Sequence, residues 1–133
     1  MFVLDTDHCV HLLRRKPGHE RLRAKLRPLC SGEVCLSVIT EAELRFGAEK
    51  SADPARNHDR ISALLTMIPS MPFESAAAVE YGLLRASLER SGSGIGSHDT
   101  LIAAHARALG GTLVSANTRE FSRVPGLLLE NWI

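Results

Sequence analysis

No apolar run in the chain approaches the ~20 residues that a membrane-spanning helix needs. There is no room for a secretory leader either, since Phe2-Val3-Leu4 already reads as a buried strand. Cysteine is scarce: Cys9, Cys30 and Cys35 make an odd number, and no two stand in a C-x-x-C pair. That argues against zinc and for a reduced, cytoplasmic setting in which the thiols act as small hydrophobes. Lysine occurs only at Lys16, Lys25 and Lys50. The glycine-rich segment Ser91-Gly92-Ser93-Gly94-Ile95-Gly96 has no Walker lysine, and no apolar strand runs into it. It is therefore neither a P-loop nor a dinucleotide fingerprint, and reads as a mobile loop over a site. Net charge is low as well: 16 basic against 15 acidic residues leave +1, so the chain is no polycation.

What is present fits one soluble domain over residues 1–133, with 44% hydrophobic and 23% charged residues. The charge is unevenly spread. Arg14, Arg15, Lys16, Arg21, Arg23, Lys25 and Arg27 are opposed locally only by Glu20. Such a cluster can attract a phosphate backbone, or can simply be a solvated helix face.

Strands are expected at 2–5, 34–38, 112–115 and about 127–129. A weaker fifth at 70–73, beside Pro69 and broken by Pro72, belongs at an edge. Between them lie helical patterns at 7–15, 19–27, 40–50, from Asp53-Pro54 to about 68, at 76–90 and at 99–109. Their apolar positions place Val10, Leu12, Leu13, Ile61, Leu64, Leu65 and Ile68 inward, with Val79, Leu83, Leu84 and Leu88 in the long helix. Met67 and Met71 read as core gap-fillers, and Ser75 and Ser97 as helix caps. Strands alternating with helices imply an α/β sandwich around a parallel sheet.

Three acidic residues fall where such a sheet would gather them. Asp5 ends the first strand, Glu43 follows the second, and Asp99 opens the helix before the fourth. Open parallel sheets bind ligands at the carboxyl ends of their strands. Convergent carboxylates suit a hard cation such as Mg²⁺ or Mn²⁺, which can activate water for attack at a phosphoryl group. Each acid also has a structural reading. Asp5 or Thr6 can cap a helix, Thr40-x-x-Glu43 matches a capping box, and Asp99 can complement a helix dipole. His8 and His11 stand one helical turn apart but lack a further ligand at zinc spacing. His98 and His105 lack a nucleophile partner for a hydrolytic triad.

Nearly the whole chain resembles the VapC-type toxin ribonucleases of the PIN-domain family. The likeness runs through Leu4-Asp5-Thr6, Val38-Ile39-Thr40-Glu41-Ala42-Glu43-Leu44 and Phe46-Gly47-Ala48-Glu49-Lys50-Ser51. It continues in Ile95-Gly96, Asp99, Asn117-Thr118-Arg119-Glu120-Phe121 and Arg123-Val124-Pro125-Gly126-Leu127. The resemblance implies a PIN-like three-layer α/β/α sandwich with a mostly parallel five-stranded sheet, and a Mg²⁺- or Mn²⁺-dependent endoribonuclease cutting transfer or ribosomal RNA. It implies Asp5, Glu43 and Asp99 as catalytic metal ligands, favouring Glu43 over Glu41, with Thr6, Ser115, Asn117 and Glu120 in support. Asp7 stands where many relatives have asparagine, and Asn117 where many PIN domains have an acid. A homodimer, a VapB-type antitoxin, assembly into a larger toxin–antitoxin complex and DNA contact through the antitoxin alone follow from the same likeness. Two other functions fit parts of the sequence. One is a non-catalytic PIN module acting through a DNA-bound antitoxin. The other is a phosphatase using Asp5-x-Asp7, which the lack of any lysine after Lys50 opposes.

Overall fold

The strand β1 (Phe2–Leu4) is only three residues long, yet it occupies the middle of a five-stranded sheet. Its neighbours are β2 (Val34–Ser37) and β4 (Thr112–Val114), with β3 (Ser70–Met71) and β5 (Leu128–Glu130) at the edges. All four pairings are parallel, in the order β3-β2-β1-β4-β5. This arrangement comes from a computed structural model that describes residues 1–30 and 32–133.

Strands buried on both faces should be continuously apolar, and the central three are, except for Ser37 at the end of β2 and Thr112 at the start of β4. Val3, Cys35 and Leu113 face one layer, while Leu4, Leu36 and Val114 face the other. The second layer holds α1 (Thr6–Arg14), α2 (His19–Leu26), α3 (Val38–Glu49) and α4 (Pro54–Met67). They contribute Cys9, Leu22, Leu44, Ile61 and Leu64, and Trp132 closes this core. Across the sheet α5 (Ser75–Arg90) and α6 (Ser97–Ala108) supply Leu84, Leu88 and Ile102. The short α7 (Thr118–Phe121) adds Phe121. Gly111 is buried where β4 begins, because a Cβ there would sit 3.0 Å from the Met1 carbonyl oxygen. Among the described residues no helix is long and apolar enough to cross a membrane.

The expected fold is therefore present, with local corrections. The edge strand at Ser70 is cut to two residues by Pro72, and β5 lies one residue later than expected. Val79 and Leu83 do not point inward; they are 63% and 60% exposed. The inner face of α5 follows Ala77, Tyr81, Leu84 and Leu88, and at 3.6 residues per turn Val79 and Leu83 fall on the far side. Met67 is 70% exposed and fills no gap, whereas Met71 does pack on the core. Glu74 and Gly96, not Ser75 and Ser97, stand at the helix starts, and neither helix has a side-chain cap bond. Cys9 and Cys35 are buried as expected of small hydrophobes, but Cys30 is exposed.

The burial difference on the helices is testable. Leu84→Ala should cost about 2–5 kcal/mol of stability in urea unfolding. Met67→Ala should change it by no more than about 0.5 kcal/mol.

Candidate active site

In this sheet the chain moves from β1 out to β3 on one side, then returns to place β4 and β5 on the other. The order reverses between β1 and β4, so a crevice opens beyond their carboxyl ends. Asp5 sits there, as the residue where β1 turns into α1. Its Oδ1 accepts the Thr6 N–H at 2.7 Å, and its Oδ2 accepts the Ser115 hydroxyl at 2.7 Å. Asp5 thus caps α1, and its buried carboxylate lies at the carboxyl end of the central strand.

Glu43 is a different case, because the capping box does not form. Helix α3 starts at Val38, two residues earlier than expected, and Ser37 caps it by accepting the Ile39 N–H at 3.1 Å. Thr40 is consequently inside the helix, and its buried hydroxyl has no hydrogen-bond partner among the described residues. Glu43 is released from capping. Its Oε2 accepts the Thr6 hydroxyl at 2.9 Å, and its Oε1 lies 3.3 Å from Nδ1 of His98. Asp99 arrives from the first turn of α6. Asn117, in the loop after β4, donates through Nδ2 to Asp99 Oδ2 at 3.2 Å and to Glu120 Oε2 at 3.3 Å. Ser115 takes the Asn117 N–H at 3.0 Å, which fixes the loop against Asp5.

The electrostatics bear the mark of crowded anions. Burial, then the charge of Asp7 and of Glu43, pushes the Asp5 carboxyl up to about 6, against the lowering effect of Ser115. Asp99 is raised to about 7 by burial, by the Asp5 charge and by a hydrogen bond to Glu120, with Glu43 adding to the effect. Burial is the larger cause for both, and the neighbouring negative charges add to it. All are oxygen donors, which suits Mg²⁺ or Mn²⁺ and not a soft metal. Among the described residues, no three carboxylate, histidine or cysteine side chains stand close enough together to enclose an ion. Thr6, Ser115 and Asn117 instead hold the acids by hydrogen bonds, and the donor chemistry fits a divalent cation.

A PIN-domain model matches residues 2–127. The chain belongs to the PIN-domain family. It is 42% identical over 131 residues to the tRNA(fMet)-specific endonuclease VapC of Shigella flexneri, covering 98% of this chain and 97% of that protein. It is 39% identical to ribonuclease VapC2 of Haemophilus influenzae over 132 residues, 99% of this chain and 98% of the relative. Among solved structures, the DNA-bound VapBC of Salmonella typhimurium matches with a TM-score of 0.89 at 38% identity, covering 99% of this chain and 98% of that one.

The structure also assigns side chains that the sequence left undecided. Asp7 is fully engaged by protein donors. Oδ1 pairs with Nδ1 of His8 at 2.6 Å, and Oδ2 accepts the Ala116 N–H at 2.9 Å. Burial alone would raise its carboxyl, but the His8 and Ala116 bonds outweigh this and hold it below the usual range. A carboxyl held below the usual range is poorly suited to the proton-donating role of a phosphatase acid. His8 is wholly buried and its Nε2 accepts the Trp132 N–H at 3.1 Å, so it is no zinc ligand with His11. His105 does find a hydroxyl, Ser37 at 2.7 Å, which spacing along the chain could not reveal. Ser37 and His105 are 0% and 1% exposed, so the pair ties α6 to β2 out of reach of any substrate.

Stability should report the acid crowding directly. Asp5 and Asp99 titrate higher folded than unfolded, so between about pH 4 and 7 the folded chain holds more protons. Their contribution is fully present below the unfolded value and is lost as pH rises through about 6 and about 7. In the absence of divalent metal, the melting temperature should fall from pH 5 to pH 8. Asp99→Asn should flatten the upper part of that decline.

Proposed function

We propose that the protein is a divalent-metal-dependent endoribonuclease, acting as one PIN domain over residues 1–133 and as the toxin of a toxin–antitoxin pair. The observation that carries this reading is that the charges of Asp5, Glu120 and Glu43 all bear on Asp99 at the switch point of the sheet. The relatives named as a tRNA-specific endonuclease and a ribonuclease point to RNA, transfer RNA in the first instance, as the chain cut. Asp5, Glu43 and Asp99 would hold Mg²⁺ or Mn²⁺. A cation bound there supplies charge neutralisation at the phosphoryl oxygens and activation of water for in-line attack.

The chain's own residues prepare that geometry. Ser115 fixes one oxygen of Asp5 and the Thr6 N–H fixes the other, so the buried acid cannot swing away from the crevice. Thr6 also orients Glu43, coupling the start of α1 to α3. Asn117 holds Asp99 and Glu120 side by side, an amide placed between two acids that would otherwise repel. Glu120 is thereby positioned to accept a hydrogen bond from water entering the site.

Two surfaces suit the partners. A groove of about 900 Å³ lies between α1, α2 and α4, floored by Leu12, Leu13, Leu26 and Leu29 and rimmed by Arg15, Arg23 and Arg27. It fits an amphipathic antitoxin segment carrying acidic side chains, and the VapBC complexes among its structural relatives support such a partner. DNA contact then falls to the antitoxin. Val79 and Leu83, one turn apart and exposed on α5, supply an apolar step that a second copy would cover. Wild-type protein should sediment as a dimer at micromolar concentration, and Leu83→Glu as a folded monomer; a monomeric wild type would refute the dimer.

Cleavage of total RNA with added Mg²⁺ or Mn²⁺ tests the catalytic reading. Asp99→Asn and Glu43→Gln should each lower the rate by on the order of 10²-fold or more, as expected when transition-state charge loses its support. Glu41→Gln should remain active, because Glu41 faces Arg45 on another side of α3. Wild-type cleavage that survives exhaustive chelation, or a dead Glu41 variant beside a live Glu43 variant, would overturn the assignment.

A further inference from the structure

Beside the acidic crevice lies a second, smaller cleft, walled by α1, α3 and α4. Thr6 and Glu43 form its inner end, so it opens directly from the carboxylate site. Its rim carries Arg14 and Arg60. Both are exposed, and among the described residues neither is paired with an acidic side chain. Arg60 donates to the Leu13 carbonyl, which pins its guanidinium at the wall between this cleft and the larger groove.

Gly47 stands on the α3 wall of the same cleft. It lies inside α3, where glycine weakens a helix relative to alanine. Nothing in the fold requires it. A Cβ at that position would meet no atom within 4 Å, and its backbone is ordinary helix. Gly47 lines the cleft, so what the missing side chain achieves is open space next to Glu43.

We infer that this cleft is an RNA subsite. It holds one unpaired nucleotide next to the cleaved phosphodiester, with Arg14 and Arg60 on its phosphates and the open side of Gly47 receiving ribose or base. The inference rests on the nuclease reading above and extends it to how the substrate is held. An RNA strand crossing four carboxylates is repelled unless neighbouring phosphates find cations close by. The two arginines stand at that place. Size limits what enters: the cleft offers about 120 Å³, room for one ribose or base with its phosphates left outside at the arginines, against about 900 Å³ for the groove beyond Arg60, which suits a protein segment. The basic run of the sequence thus divides by position, Arg14 facing the cleft while Arg15, Arg23 and Arg27 rim the groove.

The test compares Arg14→Gln, Arg60→Gln, Gly47→Ala and Gly47→Leu with Arg21→Gln, an exposed arginine on α2 outside both cavities. Cleavage of a single-stranded RNA oligonucleotide gives KM and kcat. Fluorescence anisotropy gives binding of the same RNA as a function of salt, and melting gives stability. Each cleft arginine variant should raise KM and reduce the slope of log affinity against log salt by about 0.7, the value for one phosphate contact on a single strand. Arg21→Gln should alter neither. Gly47→Ala should raise the melting temperature. Gly47→Leu should keep the melting temperature at or above wild type yet raise KM on the order of tenfold with kcat nearly unchanged, the mark of a lost ground-state contact.

Opposite signs for stability and RNA binding at Gly47 are what a purely structural residue would not give. Unchanged KM and salt slope in the arginine variants would overturn the subsite. So would a Gly47→Leu protein whose stability and activity fall together, or one that loses only its inhibition by the antitoxin, which would make the cleft a peptide site. If wild-type protein cleaves nothing, the nuclease reading fails, and the anisotropy arm still decides whether RNA occupies the cleft.

Discussion

The structure depends on confining like charges at one end of a buried strand. Asp5 is 6% exposed, ends the most central strand of the sheet and lies in the field of Asp7, Glu43 and Asp99. A lone carboxylate so placed would be costly, and several together more so. The fold meets the difficulty by supplying donors: the Thr6 N–H and hydroxyl, the Ser115 hydroxyl and the Asn117 amide each reach one or two acid oxygens. Burial and what repulsion remains appear as raised proton affinity, the excess negative charge that the proposed divalent cation would neutralise.

Around that centre runs a chain of hydrogen bonds fixing the geometry from behind. Trp132 donates its backbone N–H to His8, His8 pairs with Asp7, and Asp7 holds the Ala116 N–H beside Ser115. The tautomer of His8 follows from its partners: Nε2 accepts, so Nδ1 carries the proton and donates to Asp7. Asp7 is thus a brace on the loop after β4, and its charge acts on Asp5 across the gap. An asparagine there could hold the same amide but would add no charge.

Much of this was legible in the residues. Continuous apolar runs marked the central strands, and Pro69 and Pro72 marked a short edge. The three acids followed from their positions after strands and before a helix. Less legible were features set by a turn of helix or a long-range contact. Thr40-x-x-Glu43 has the spacing of a capping box, but Ser37, three residues upstream of Thr40, took the cap, and the start of α3 shifted with it. Val79 and Leu83 are apolar at helical spacing, yet the partner helix α6 lies against the stripe of Leu84 and Leu88. The His8–Trp132 and Ser37–His105 contacts join residues 124 and 68 positions apart, with no local signal to announce either.

The central position of β1 has a further consequence, for the order in which the molecule comes into being. Asp5 and the Ser115 hydroxyl that fixes it are 110 residues apart in the chain. A ribosome making this polypeptide completes the first acid long before the strand that must lie beside it. Contacts of such separation form late, after the intervening helices have collapsed. Until β4 is out and paired, Asp5 has neither its hydroxyl partner nor Asn117 opposite, and the crevice does not exist. The site is therefore absent for most of the chain's synthesis and is completed only once β4 has joined the strand made first.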